Sequence, residues 1–380
     1  MKDIGPYNGF EQGPIRPPSE AESLLIRITR NCPWNRCTFC PVYKEAKFSR
    51  RPVDHVLRDI DMARLYVDKI LEARRSEARS DRIILNGEPL KDQRALYAAY
   101  QFVAGGMRSI FLQDGNSLII KPDDIIRILN HLKQKFPIVE RVTSYARSHT
   151  IAKISDDHLK QMAEAGLNRI HIGLESGSDR VLKMVKKGVD KATQILAGQK
   201  VKHAGMELSE YYIPGLGGST LSQENAIETA DALNQIDPDF IRLRTLALPS
   251  MAPLTAQFID GKFDKQGEVG TIGELLLFLE SLGGITSTVR SDHTLNLFPE
   301  VDGVLPDDRE RMIQPLKDFL ALDQQGQMIF CIGRRTHRIS RLEDLNNQAQ
   351  RDSVLQICEQ LGVTVENMDQ IINSIMQRFV

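Results

Sequence analysis

Six short apolar or β-branched runs punctuate the chain: LLIRIT (24 to 29), SIFLQ (109 to 113), ERVTSY (140 to 145), NRIHIGL (168 to 174), ELSEYYI (207 to 213) and DFIRLRTL (239 to 246). Between them lie longer stretches such as DDIIRILNHLKQKF, whose apolar residues recur every three or four positions and so share one face of a helix. Helices are expected near 53 to 79, 122 to 136, 155 to 166, 177 to 204 and 219 to 236. Strands that alternate with helices pair in parallel, because each helix carries the chain back to the starting edge of the sheet. The expected fold is therefore α/β, a partial (β/α)6 barrel of the TIM type with a mainly helical C-terminal accessory region.

The alternation also suggests boundaries. Residues 1 to 22, rich in Gly, Pro and polar side chains, read as an irregular surface arm, residues 23 to 250 as the barrel, and residues 251 to 380 as the accessory region. In that last region helices are expected near 271 to 283, 308 to 322 and 341 to 380, around the turn-rich stretch SDHTLNLFPEVDGVLPDD. The segment from 80 to 108 breaks the rhythm: RIILN reads as a further strand and ALYAAYQFVAGG as a helix, together an insertion before the second strand.

Charge narrows the partners. Forty-nine Lys and Arg stand against 50 Asp and Glu, a formal net charge of −1, which is not the footprint of a general nucleic-acid binder. No apolar run reaches the roughly 18 residues of a membrane span, and MKDIGPYNGFEQG has neither a basic nor an apolar leader region, so a cytoplasmic protein is expected.

Three of the five cysteines fall within nine residues, in TRNCPWNRCTFCP directly after the first strand. Ligands of α/β barrels gather at the C-terminal ends of the strands, which is where this loop begins. Thiolates from Cys32, Cys37 and Cys40 suffice for three irons of a [4Fe–4S] cubane and leave the fourth open to a small chelating molecule. Structural zinc would want a fourth ligand, and the nearest histidine downstream, His55, lies in an expected helix. A pure electron-transfer cluster would also want a fourth cysteine. Cys331 and Cys358 sit singly in apolar surroundings and read as core residues.

The cysteine loop resembles the signature of the radical SAM superfamily, C-x3-C-x2-C with an aromatic before the last cysteine, although the first gap here is four residues long. The resemblance implies a [4Fe–4S] cluster on Cys32, Cys37 and Cys40, S-adenosylmethionine (SAM) as second cofactor, and a reductant such as flavodoxin or ferredoxin. It would put Phe39 against the adenine of SAM and the turn Asp114, Gly115 and Asn116 at its amino group, with Asn86 to Pro89 as a rival place for that turn. Ser144 follows at the end of the third strand. IHIGLESGSDRVLKMVKKG is similar to the wording of the branch that holds the methylthiotransferases and elongator-type enzymes; by that likeness Glu175 binds the ribose or methionine moiety and Lys187 the carboxylate. Tyr211 would face the cofactor, and the backbone near Leu246 would meet adenine.

The implied activity is reductive cleavage of SAM to a 5′-deoxyadenosyl radical, which takes hydrogen from a substrate. A small-molecule substrate is expected. RNA modification, or a non-catalytic metal-stabilised binding protein, are the alternatives. The cysteine count leaves no room for auxiliary clusters, and only 31 residues precede Cys32, too few for the cluster-binding domain of a methylthiotransferase or for a cobalamin domain. No catalytic residue is assigned. Candidates for the substrate pocket are Tyr145 and Arg147 after the third strand and Asp292 and His293 as an acid-base pair or substrate contacts, while Arg334 and Arg335 could hold an anion.

Overall fold

A computed structural model describes residues 6–75 and 92–377. All six expected runs are strands: β1 (Leu24–Arg27), followed by the short β2 (Thr29–Arg30) and β3 (Ser49–Arg50), then β4 (Ser109–Gln113), β5 (Arg141–Ala146), β6 (Leu167–Glu175), β7 (Glu207–Tyr212) and β8 (Phe240–Leu243). Two strands not expected from the sequence follow, β9 (Thr288–Arg290) and β10 (Gly303–Val304). The main sheet runs β1-β4-β5-β6-β7-β8-β9-β10, and β2 pairs only with β3. Its order has two ends, so the expected partial barrel is an open, mostly parallel sheet. The possible strand at RIILN and the rival turn Asn86 to Pro89 lie outside the described residues.

The chain divides into two compact units. The first comprises Met1–Pro33, Glu45–Ile172 and Lys200–Leu208. In it β1 pairs with β4 (Leu24↔Ile110) and β4 with β5 (Leu112↔Ser144), both in parallel. All five residues of β4 are buried, as both faces of a central parallel strand must be. Its helices start where the sequence supplies caps. Asp92 accepts from the backbone of Arg94 and Ala95, Pro122 opens Pro122–Lys135, and Ser155 accepts from His158 N.

Among the described residues, 6 to 22 of the N-terminal arm are irregular apart from one 3-10 turn, and they are pinned rather than laid over the surface. The Tyr7 hydroxyl donates to Asp59 (2.7 Å), Phe10 N to Asp92 (2.6 Å) and Gly13 N to Gln113 (2.7 Å), while Phe10 is 2% exposed. Backbone without regular structure must find partners elsewhere, and here side chains of the first unit supply them.

The second unit comprises Trp34–Lys44, Gly173–Gln199 and Ser209–Val380. Here β7, β8 and β9 run parallel and β10 closes antiparallel on β9. The helix Ser222–Ile236 packs on Glu268–Ser281, and Arg309–Leu320, Gln324–Arg335, Gln348–Leu361 and Met368–Met376 complete the helical C-terminal portion. The single helix expected over 177 to 204 is broken into Asp179–Met184 and Lys191–His203. Lys186 (φ 54°) and Gly188 (φ 71°) turn left-handed between them, and a Cβ on Gly188 would lie 2.2 Å from the Trp34 ring.

Phe10→Ala should lower stability by about 3 kcal/mol through loss of a buried ring, read from the urea midpoint. The 42% exposed Val42, changed to Ala, should stay within about 0.5 kcal/mol of wild type.

Candidate functional site

Cys32, Cys37 and Cys40 are half-buried and Cys331 and Cys358 buried, all five as thiols. In the first unit the approach to Cys32 is fixed by Asp114, which is fully buried. Its carboxylate accepts from Arg27 Nε (3.0 Å) and Nη2 (2.8 Å), from Asn31 N (3.2 Å) and from Gly115 N (2.9 Å). The sequence offered Asp114 as an acceptor for the amino group of SAM; here it clamps the end of β1 and the residue before Cys32. Asn31 has φ 67°, a conformation asparagine tolerates better than most residues. Asn116 likewise ties two strand ends, donating to Thr150 (2.8 Å) and accepting from Arg147 N (3.1 Å). Ser144 Oγ donates to the Leu112 carbonyl (3.3 Å). Tyr145 meets Phe111 and His171 edge-on.

In the second unit the cysteine loop is held by the turn that follows Met184. Thr38 N donates to Val185 O (2.9 Å) and Trp34 Nε1 to Lys186 O (2.7 Å). Lys44 Nζ donates to the carbonyls of Asn35 (3.1 Å) and Cys37 (2.8 Å). Phe39 packs on an apolar cluster that includes Leu246, Ile213, Leu216 and Val185, so the two residues expected at adenine share one apolar body.

The same turn presents Lys187, whose ammonium lies 3.0 Å from Glu175 Oε1 and 5.9 Å from the Phe39 ring centroid. Glu175 itself sits at φ 66°, strained for a residue with a side chain. Gly173 makes room for the pair: a Cβ there would lie 2.0 Å from Glu175 Oε1 and 3.0 Å from Lys187 Nζ.

Sequence reasoning passed over Glu210, buried in β7. Desolvation pushes its carboxyl well above the ordinary range, with Lys187 pulling it down and Glu175 pushing it further up. Its Oε2 is buried without a hydrogen-bond partner. An acidic residue inside an apolar strand was the available signal.

Tyr211 carries the Arg244 guanidinium over its ring at 4.5 Å. Asp292 does not pair with His293; it bridges Arg242 and Arg244, the latter at 2.9 Å. Burial, then the Arg244 charge, hold the His293 imidazole down to about 4, so it is uncharged at neutral pH. Arg334 donates to the carbonyls of Leu297 (2.8 Å) and Asn296 (3.2 Å), and Arg335 to Glu268 and the Leu295 carbonyl. Both arginines thus hold the loop rather than an anion.

Among the described residues no three His, Cys, Asp or Glu side chains are drawn up as a metal site. The fit to an iron-sulfur cluster rests on the donor set, three half-buried thiols within nine residues of sequence. For SAM, the orphaned Glu210 oxygen and the space kept by Gly173 are features of a ligand cradle. No described helix is long and apolar enough to cross a membrane.

A tRNA uridine(34) acetyltransferase of Methanocaldococcus infernus is 22% identical over 280 residues, 71% of this chain and 51% of that protein, so the chain spans about half the length of this curated relative. Coproporphyrinogen III oxidase from Escherichia coli superposes with a TM-score of 0.44 at 17% identity, over 68% of this chain and 52% of that one. Methylornithine synthase gives 0.42 at 16% identity, over 68% and 62%. The profile of the radical SAM superfamily matches residues 26–230, more than half of the chain. This chain therefore belongs to the radical SAM superfamily and is an enzyme whose cofactors are a [4Fe–4S] cluster and SAM.

Proposed function

We propose that Cys32, Cys37 and Cys40 hold the cluster and that the enzyme takes hydrogen from a small-molecule substrate. When bound and reduced, the cluster supplies one electron to the SAM sulfonium, giving methionine and a 5′-deoxyadenosyl radical that abstracts the hydrogen. The observation that carries this reading is the buried Lys187–Glu175 pair beside Phe39. Lys187 offers a cation for the methionine carboxylate and Glu175 an acceptor for an ammonium or hydroxyl. Phe39 and Leu246 belong to an apolar shelf of the kind a purine ring needs. Burial, which raises the Glu210 carboxyl well above its ordinary range, favours its uncharged form as a hydrogen-bonding partner for a polar ligand group. Asp114, Gly115, Asn116 and Ser144 fix the ends of β4 and β5 at the ligand end of the strands.

For the substrate, Tyr145, Arg147, Asp292 and His293 remain the candidates. Asp292 acts by fixing Arg242 and Arg244, and His293 is a neutral acceptor or donor rather than a cationic acid. A net charge of −1 favours a small molecule over RNA. The second reading, modification of RNA, is favoured by the similarity to the tRNA uridine(34) acetyltransferase.

Anaerobic reconstitution with iron and sulfide should give a brown protein that, with dithionite, converts SAM to 5′-deoxyadenosine. Cys37→Ala should lose both colour and turnover. A colourless protein with stoichiometric zinc, or a Cys37→Ala variant that keeps cluster and turnover, would overturn the assignment.

Glu210 generates a prediction of a different kind. Its folded pKa is raised, so its favourable contribution is complete below the ordinary value of 4.5 and is lost as pH rises through the folded value. Glu210→Gln, neutral at every pH, should therefore gain in Tm over wild type as pH is raised from about 4.5 towards 8. Parallel Tm curves for the two proteins would mean that Glu210 is not held in its neutral form.

A further inference from the structure

The turn that leaves β7, IPGLGG over residues 213 to 218, has few means of holding its own shape. Gly215 (φ 80°) and Gly218 (φ 63°) are left-handed, and the backbone closes through Leu216 N to Ile213 O (3.3 Å) and Gly218 N to Gly215 O (3.0 Å). Much nevertheless depends on it. Ile213 and Leu216 belong to the apolar body that also contains Leu246 and packs Phe39. Ile213 N donates to the Glu175 carbonyl (3.1 Å), so the turn also helps to hold the main chain of Glu175 in its left-handed conformation.

The turn is held from outside by Glu274, which lies on the helix Glu268–Ser281 and is 3% exposed. Its Oε1 accepts from Gly215 N (2.9 Å), from the Tyr212 hydroxyl (2.8 Å) and from Asn225 Nδ2 (2.7 Å), and its Oε2 accepts from the Ser222 hydroxyl (2.8 Å). Asn225 Nδ2 also reaches the Ile213 carbonyl (3.3 Å). One carboxyl thus joins the end of β7, the turn and the start of the helix Ser222–Ile236. Among the described residues no Lys or Arg pairs with it. Burying a carboxyl without a cation is costly, and packing alone would be served by an apolar side chain. What an acceptor adds is direction, because the Gly215 N–H bonded to it can point only one way.

We infer that Glu274 is a positioning residue for SAM: through its bond to Gly215 N it sets the turn over residues 213 to 218, and with it the apolar shelf under adenine and the main chain of Glu175. The inference rests on the reading above that the shelf of Phe39 and Leu246 takes the purine, and it adds a residue that touches neither cofactor. Glu274 lies beyond residues 26–230, which the superfamily profile matches, so the C-terminal portion of this chain contributes to the cofactor site. A turn rich in glycine is cheap to bend and costly to order when a ligand arrives. The carboxyl meets that ordering cost in advance, during folding.

The test measures equilibrium binding of SAM to oxidised, reconstituted protein, 5′-deoxyadenosine formation with dithionite, and Tm. Glu274→Met keeps the length of the side chain and removes the acceptor. It should raise Kd and KM for SAM about tenfold or more, with the rate at saturating SAM and the iron content within about twofold of wild type. Glu274→Gln can offer its amide oxygen to Gly215 N and its amide group to Ser222 Oγ, and should restore SAM binding to within about threefold of wild type. Glu274→Asp, one methylene shorter, should fall between and decides the matter if the Met variant does not fold. Ser222→Ala leaves the Oε1 bonds in place, and should lower Tm with the SAM Kd within about twofold of wild type. Unchanged SAM affinity in Glu274→Met and Glu274→Asp would overturn the inference, as would equal weakening by Ser222→Ala, which would make the effect one of general stability. Phe39→Ala that binds SAM as wild type does would instead refute the reading of the shelf on which the inference stands.

Discussion

One buried cation, the ammonium of Lys187, organises the second unit. Taking it out of water is costly unless a carboxylate meets it at close range, and Glu175 does so from a backbone conformation that few residues adopt. A second carboxyl, Glu210, lies within reach of the same field, and one cation cannot hold two buried negative charges. Burial pushes the Glu210 carboxyl well above its ordinary range, with Lys187 pulling it down and Glu175 pushing it up. Lys187 is delivered by the turn whose two preceding carbonyls, those of Val185 and Lys186, accept from Thr38 N and Trp34 Nε1. The cation and the Trp34–Thr38 part of the cysteine loop are therefore positioned by four consecutive residues, Val185 to Gly188. Ligand chemistry and loop geometry cannot vary independently.

The barrel strands were legible because parallel strands are buried on both faces and so read as continuous apolar runs. The six observed strands fall inside or within a residue or two of the expected runs. What escaped notice lacked that signature. β9 is three residues and β10 two, too short for any periodicity, and they are strands because a neighbouring edge supplies their hydrogen bonds. The stretch 177 to 204 was expected as one helix, but Lys186 and Gly188 turn left-handed within it, and the Trp34 ring packs where a Cβ on Gly188 would lie. The arm before Ser23 looked loose from composition. Its anchors, Tyr7, Phe10 and Gly13, work through single long-range bonds to Asp59, Asp92 and Gln113.

Of the residues singled out by spacing and local wording, the fold brings Lys187 to Glu175 and to the Phe39 ring. The site was less legible where the role of a polar residue depends on its partner. Asp114 and Asn116 read equally well as ligand contacts or as turn residues, and in the fold their polar atoms fasten strand ends. Adjacency misled at Asp292 and His293: neighbours in sequence, they face different partners, because two arginines from the end of β8 claim the carboxylate. Glu210 carries no local motif. The upward shift of its carboxyl follows only from what the fold places around it.

The polar side chains that never reach a ligand explain how such a site stays in register. Asn296 donates to the Leu243 carbonyl, Thr245 to the Leu295 carbonyl, Arg335 to that same Leu295 carbonyl, and Arg334 to the carbonyls of Asn296 and Leu297. A loop would ordinarily satisfy those carbonyls with water and move freely. Guanidinium forks, with several donors in one rigid plane, fix them instead, and so fix the nearby backbone that carries Asp292. The Arg242–Asp292–Arg244 bridge is then a charge arrangement set before any substrate arrives, with the Tyr211 face bearing on one of its two arginines. Preorganisation of this sort lowers the ordering cost of binding, and a radical reaction has a further need of it, since the target C–H bond must be held against the reacting carbon.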